Sequence, residues 1–160
     1  MKNICSLSLL FLGLCLSTLA GSQAGVPAGA DAALNSTWTD PATGLMWTKM
    51  DNGSDVDWNQ AAAYCSNLQL AGYSGWRLPT IEELQGIYDP SVRVQTAYDF
   101  GAVSVLVKGK LKLTGWDWSS TQGDKSEWAQ TYGFSGENRG AFPLRFNYNM
   151  RALCARRSGE

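Results

Sequence analysis

The sequence of 160 residues contains no histidine. Its absence excludes Ser-His-Asp triads, histidine general bases and every metal site that needs an imidazole ligand. Charged residues make up only 17% of the chain, against roughly 25% in an ordinary soluble domain. The net charge of −1 gives no general attraction to nucleic acid, so we expect no nucleic-acid partner. After residue 30 no apolar run is long enough to cross a membrane.

The composition that remains is typical of one globular domain with a sizeable core. Apolar residues account for 44% of the chain and aromatic residues for 11%, which excludes a disordered chain at this length. Seven tryptophans and seventeen glycines favour short strands and turns over long helices.

The amino end has the layout of a secretory signal peptide. Lys2 precedes an apolar run over residues 4–19, and small residues follow up to Ala24, where we predict cleavage. Two alternatives are weaker. Lipid attachment at Cys15 is disfavoured because the bulky Leu14 precedes it, and an uncleaved membrane anchor is disfavoured because the apolar run is short for a membrane span. The sequence therefore predicts an exported protein, periplasmic or extracellular, with a signal over residues 1–24.

The exported chain would begin with a lead-in over residues 25–37, rich in alanine, glycine and serine, which we expect to be flexible. Removal of the signal leaves Cys65 and Cys154 as the two cysteines of the mature chain. Two cysteines in an oxidising compartment favour one disulfide, and a reactive thiol pair is the alternative.

Two capped helices are predicted in the first half of the chain. Asp57 is followed three residues later by a glutamine, and Thr80 is followed by Glu83 at the same spacing, which is the pattern of a capping box. Apolar residues recur at helical spacing after both caps. Asp89 and Pro90 are expected to stop the second helix.

Beyond residue 100 the apolar period becomes two, which indicates strands. Leu111 and Leu113 alternate with Lys108, Lys110 and Lys112, so the lysines are predicted on one strand face. Further strands are predicted over residues 45–48, 116–120, 127–134, 141–148 and 151–156. Helices followed by an antiparallel sheet predict the α+β class.

Five segments resemble one bacterial domain family. They are T-G-L-M-W-T over residues 43–48, A-Y-C-S-N-L over 63–68, G-W-R-L-P-T-I-E-E-L over 75–84, W-D-W-S-S-T over 116–121 and R-A-L-C-A-R over 151–156. Residues 38–157 thereby resemble the Lcl C-terminal domain family, typified by the Legionella collagen-like adhesin. The resemblance implies a C-type-lectin-like fold, related to formylglycine-generating enzymes, in which a disulfide joins the first helix to the last strand at Cys65 and Cys154.

The G-W-R-L-P-T-I-E-E-L segment is the most specific of the five, and its residue types indicate a structural role rather than a catalytic or binding one. Proline fixes the backbone, cap residues satisfy helix amides, and tryptophans fill core. Residues expected to have this structural role are Trp76, Arg77, Pro79, Thr80, Glu83, Trp116 and Trp118. An aromatic platform for sugar stacking, made by Trp116 and Trp118 with Trp128, is the alternative for the tryptophans.

Two sets of polar residues are candidate ligand-binding groups. Lys108, Lys110 and Lys112 form a row that could match a polyanion, and the resemblance supports this because the family's adhesin recognises sulfated glycosaminoglycans. The alternative is a solvated strand edge. The second set lies in the predicted late turns and consists of Asn138, Arg139, Asn147 and Asn149. Their side chains offer paired donors and acceptors that could bind the hydroxyl groups of a ligand. An ordinary structural role in the turns fits these residues equally well.

The acidic loop over residues 51–57 could bind Ca²⁺, but it lacks an EF-hand pattern, so we expect no cofactor. The predicted function is an exported, lectin-like module that binds a glycan, a polyanion or a protein at the bacterial envelope. The alternative is an envelope assembly protein without ligand specificity. An oxidase like the formylglycine-generating enzymes is disfavoured because the two mature cysteines occupy the structural pair, so no catalytic residues are predicted.

Overall fold

The computed structural model of the chain describes residues 36–157. The predicted signal peptide and nearly all of the predicted lead-in lie outside the described residues. Across residues 36–157, no helix has the length and apolar character needed to span a membrane.

Strands outnumber helices in the described part of the chain, as the α+β prediction requires. Helix α1 spans Trp58–Asn67 and α2 spans Ile81–Gly86, and a short 3-10 helix spans Lys108–Lys110. The strands are β1 Thr37–Thr39, β2 Leu45–Thr48, β3 Tyr88–Tyr98, β4 Gly101–Val107, β5 Trp116–Gln122, β6 Trp128–Gly133, β7 Asn138–Pro143, β8 Met150–Arg151 and β9 Ala155–Arg157. They form three sheets, in the orders β1-β2-β9, β3-β4 and β7-β6-β5-β8.

Both predicted capping boxes are confirmed. The Asp57 carboxylate accepts a hydrogen bond from the Gln60 backbone amide at 2.8 Å, and the Gln60 side chain accepts one from the Asp57 amide at 2.9 Å. Thr80 and Glu83 exchange the equivalent pair of bonds at the start of α2. Each box satisfies amides that the first helical turn leaves without partners.

The end of α2 differs from the prediction. The helix stops at Gly86, and Asp89 and Pro90 lie inside β3, a strand that the sequence reading missed. The pairing with β4 shifts register between Tyr88 and Arg93. This irregularity accommodates Pro90, which has no amide hydrogen to contribute to a ladder.

The carboxyl-terminal strands also differ from those predicted. The strand expected over residues 141–148 lies earlier, as β7, because Asn138–Pro143 pairs residue by residue with β6. The strand expected over residues 151–156 is split into β8 and β9, which belong to different sheets. One pair departs from the antiparallel expectation, since β8 runs parallel to β5.

The strand predicted to carry the lysine row is replaced by a turn. Strand β4 ends at Val107, and the 3-10 helix follows with Gly109 at φ 67°. A Cβ atom at Gly109 would lie 2.3 Å from the Trp38 ring, so only glycine lets this ring pack on the turn. Lys108, Lys110 and Lys112 therefore do not project from one strand face.

The β7-β6-β5-β8 sheet has a hydrophobic cluster on each face. Trp118 and Tyr132 occupy adjacent register positions on β5 and β6, so their side chains point to opposite faces. Trp118 packs in a cluster with Trp76 and the Cys65 helix face, whereas Tyr132 packs with α2 and Trp47. The sheet is thus buried on both sides.

The buried segment over residues 150–156 connects these layers. Strand β8 pairs with β5 and β9 pairs with β2, and between them Cys154 forms the predicted disulfide with Cys65 in α1. Every residue from Met150 to Arg156 is at most 2% exposed. The disulfide confirms the predicted bridge and excludes the reactive thiol pair.

Replacement of both bridged cysteines, Cys65→Ala with Cys154→Ala, will lower the free energy of unfolding. The bridge joins residues 89 positions apart, and closing a loop of this size stabilises a fold by roughly 4 kcal/mol in the chain-entropy model. Urea unfolding followed by tryptophan fluorescence measures the change. Reduced wild-type protein is the control and should unfold near the same midpoint, whereas an oxidised midpoint equal to that of the variant would contradict the expectation.

Candidate functional site

The residues of the G-W-R-L-P-T segment are held in a buried joint between α2 and the sheet. Trp76 is 2% exposed, and the Arg77 guanidinium makes two bonds of 2.7 Å to the Glu83 carboxylate. The carbonyl of Pro79 accepts a hydrogen bond from the Ser120 amide at 2.7 Å, which ties the segment to β5. Burial acts to raise the pKa of Glu83, but the bonds from Arg77 and the Thr80 amide outweigh it and hold this pKa below its ordinary value.

The three tryptophans of the possible aromatic platform do not form one exposed surface, because Trp116 and Trp118 pack in a core cluster that does not include Trp128. Trp118 is fully buried, with its indole N–H donating to the Val56 carbonyl at 2.9 Å. Trp116 is half-buried, and its ring lies against the backbone of Gly133 and Gly140. Trp128 is also half-buried but lines open cavities instead of a core cluster.

The candidate hydroxyl-reading residues lie in two places, on β7 and in the turn before β8. Asn138 and Arg139 are exposed on β7, where Arg139 donates to the Gln130 side chain at 2.7 Å. Asn149 precedes β8, is only 7% exposed and adopts φ 58°. Asn147 is exposed in the preceding turn. Because β5 and β6 separate β7 from β8, these residues do not share one site.

The lysines are also dispersed. The Lys108 ammonium group donates to the Gly86 carbonyl at 2.7 Å, where it satisfies the end of α2. Lys110 is exposed on the turn. Lys112 is exposed too, but its backbone pairs with Lys49 and Asp51.

The acidic loop over residues 51–57 uses its carboxylates within the fold. Asp51 accepts bonds from the Thr114 backbone and hydroxyl groups, Asp55 accepts from Arg151, and Asp57 caps α1. Within residues 36–157, no group of three or more His, Cys, Asp and Glu side chains is placed to hold a metal ion.

The sequence reading missed a buried polar network centred on Arg151. This side chain is 3% exposed and donates to Thr114 at 2.9 Å, to Asp99 at 3.3 Å and to Asp55. Asp117 lies nearby, fully buried, and neither carboxyl oxygen has a hydrogen-bond partner. Burial, with a smaller contribution from the Asp51 charge, raises the pKa of Asp117 well above its ordinary value, although Arg151 opposes the shift.

The sequence analysis also missed a surface concavity that we call the Trp128 groove. It consists of two adjoining cavities of about 370 and 250 Å³ that share Trp128 and the turn before it. The groove is lined by the side chains of Asn59, Lys125, Glu127, Trp128, Leu144 and Arg145. These come from α1, the β5–β6 turn and the chain after β7, so no contiguous motif reveals the groove.

Backbone hydrogen bonds fix the turn that forms one wall of the groove. The Gly123 amide donates to the Trp128 carbonyl at 2.7 Å, and the Leu144 amide donates to the Glu127 carbonyl at 2.8 Å. Glu127 adopts φ 60°, which is rare for a residue other than glycine. Such conformations persist only where the surrounding structure enforces them, and they cluster at functional sites.

The groove combines an aromatic ring with both signs of charge. The Lys125 ammonium group lies 4.6 Å from the centre of the Trp128 ring, a cation–π distance. Arg145 and Glu127 line the larger cavity with the amide of Asn59. A further cavity of about 360 Å³ is lined by Gly123 and Asp124 of the same turn and by Arg139, one of the predicted ligand-binding residues.

The substitution Asp117→Asn will stabilise the protein at neutral pH. Folding raises the pKa of the Asp117 carboxyl group above its value in the unfolded chain, near 3.8. The contribution of this group to stability is therefore complete below pH 3.8 and is lost as pH rises toward the folded-state pKa. The amide does not titrate, so the variant should gain stability relative to the wild type as pH rises above 3.8, by at most about 1.4 kcal/mol for each pH unit. Urea unfolding at pH 3 to 8 measures it, and an advantage of the variant that did not grow with pH would contradict the buried, neutral state of Asp117.

Comparison with known proteins identifies the family of the chain. No protein with a curated description matches the sequence. The family model described as the Lcl C-terminal domain matches residues 36–153, which is most of the chain and nearly all of its described part. The chain therefore belongs to the Lcl C-terminal domain family.

Proposed function

We propose that the protein is an exported binding module that recognises a glycan carrying acidic groups through the Trp128 groove. Its fold in this proposal is C-type-lectin-like, and its mechanism is reversible surface recognition without catalysis. The Cys65–Cys154 disulfide supports export, since such bridges persist in oxidising compartments. The observation that carries the proposal is a half-buried tryptophan lining two cavities whose walls also hold basic and amide side chains.

The Trp128 ring supports a sugar ligand. A half-buried indole offers a flat apolar surface in a cavity, and sites for small ligands combine such surfaces with a few placed polar groups. Asn59 and Glu127 line the same cavity and provide donors and acceptors for hydroxyl groups. A pyranose ring has both an apolar face and hydroxyl edges, so it matches both features.

Acidic substituents on the sugar are supported by the cations around the ring. Lys125 and Arg145 line the two cavities of the groove, and both side chains are exposed. An anionic group on the ligand could displace Lys125 from the indole face and pair with it. By contrast, Lys108 already donates to a helix carbonyl and is less available to a polyanion.

The fixed turn supports binding by a preformed site. Its backbone hydrogen bonds hold Glu127 and Trp128 in place without a ligand. A preformed wall loses little conformational entropy when a ligand binds, so more of the interaction energy contributes to affinity.

Chromatography of the mature protein on immobilised heparin, with a glycan array for ligand identity, tests the proposal. Trp128→Ala should weaken binding by about tenfold, the scale of a central aromatic contact. The double variant Lys125→Ala with Arg145→Ala should elute at lower salt than wild type, because exposed ionic contacts are screened by salt.

The charge-matched control is Lys110→Ala with Lys112→Ala, which removes two exposed cations outside the groove. It should elute like the wild type, whereas loss of retention in this control alone would favour the lysine-row hypothesis. Retention that all three variants leave unchanged would contradict the Trp128 groove. Absence of any glycan binding, with one specific protein partner instead, would favour an assembly role.

A further inference from the structure

A second concavity lies along the outer side of α1, which we call the α1 groove. Two cavities of about 630 and 350 Å³ meet at Tyr64 and Leu68. In this helix Ala61 and Cys65 point into the core, whereas Gln60, Tyr64 and Asn67 follow at spacings of four and three residues and share another face. The groove is therefore built on a helix whose other side is fixed by the disulfide.

The floor of the α1 groove is apolar and open to solvent. Met50 is 54% exposed and Tyr64 is 41% exposed, both high values for large apolar side chains. Val56, Leu68 and Leu70 are half-buried beside them. This floor can accept the C–H face of a ligand and offers one aromatic ring for stacking.

Carboxamide groups line the edge of this floor. Gln60, Asn67 and Gln69 are exposed in the larger cavity. The Gln60 oxygen accepts a bond from the Asp57 amide, which leaves its NH₂ group available. Each amide offers donors or acceptors without carrying a charge, which is the chemistry that reads hydroxyl groups.

The charged residue of the larger cavity, Asp55, accepts bonds from Arg151 and the Asn149 amide. The smaller cavity is lined by Asp51, which is buried and accepts bonds from Thr114, and by Lys49. In the larger cavity, where the carboxamides lie, a strongly charged ligand therefore has little to pair with. A purely apolar chain would also fit poorly, because it would desolvate the amide edge without replacing its hydrogen bonds to water.

We propose that the α1 groove is a second binding site, selective for a neutral saccharide. A sugar ring stacks on Tyr64 and Leu68, and its hydroxyl groups bond to Gln60, Asn67 and Gln69. This site does not depend on the Trp128 groove, since the two cavities of the α1 groove share no lining residue with those of the other groove.

Titration of the ¹⁵N-labelled mature protein with maltohexaose and with cellohexaose, each at millimolar concentration, tests this inference. At least one should shift the amide signals of residues 60–69. Tyr64→Ala should weaken that binding by about fivefold to tenfold, the scale of one aromatic contact. Tyr148→Ala, which removes a tyrosine that is 63% exposed and lines neither groove, is the control and should bind like wild type.

Absence of shifts over residues 60–69 with both oligosaccharides would overturn the inference. Shifts confined to the Trp128 groove would overturn it too while leaving the proposed function supported. Equal binding by wild type and Tyr64→Ala would exclude the stacking geometry. Trp128→Ala should leave the shifts over residues 60–69 unchanged, so failure of one site is distinguishable from failure of the other.

Discussion

The burial of the last described segment, residues 150–156, is the constraint on which the rest of the structure depends. This segment pairs with β5 through β8 and with β2 through β9, and Cys154 ties it covalently to α1. Arg151, in the same segment, donates hydrogen bonds to Thr114, Asp55 and Asp99, which come from three separate parts of the chain. Because the cost of desolvating the Arg151 guanidinium offsets much of the attraction to its partners, we expect the network to specify how these parts meet more than it adds net stability.

The two proposed binding sites lie on surfaces of different chemistry. The turn before Trp128 is held by its own backbone hydrogen bonds and presents an aromatic ring next to a cation. The outer side of α1 instead presents Tyr64 as part of an apolar floor with an amide edge. A rigid scaffold with varied surface loops is a common basis for binding proteins, and the chemistry of each surface, not the fold, determines its ligand class.

Local signals made part of this structure predictable from sequence. The capping boxes at Asp57 and Thr80 depend on neighbouring residues only, and the disulfide followed from export and family resemblance. The prediction of one strand face for Lys108, Lys110 and Lys112 was wrong because alternation alone cannot detect the turn at Gly109, which packs against Trp38. Strand β3 was missed because the register irregularity that accommodates Pro90 is a tertiary feature. The Trp128 groove was missed because Asn59, Trp128 and Arg145 lie in distant segments.

The most direct test of the account is a map of where an acidic glycan touches the protein. Adding a defined heparin hexasaccharide to the ¹⁵N-labelled mature protein should shift amide signals chiefly over residues 125–128 and 144–145, which form the walls of the Trp128 groove. Shifts centred on residues 108–112 would contradict the account, because they would place the ligand on the lysine turn and away from the tryptophan.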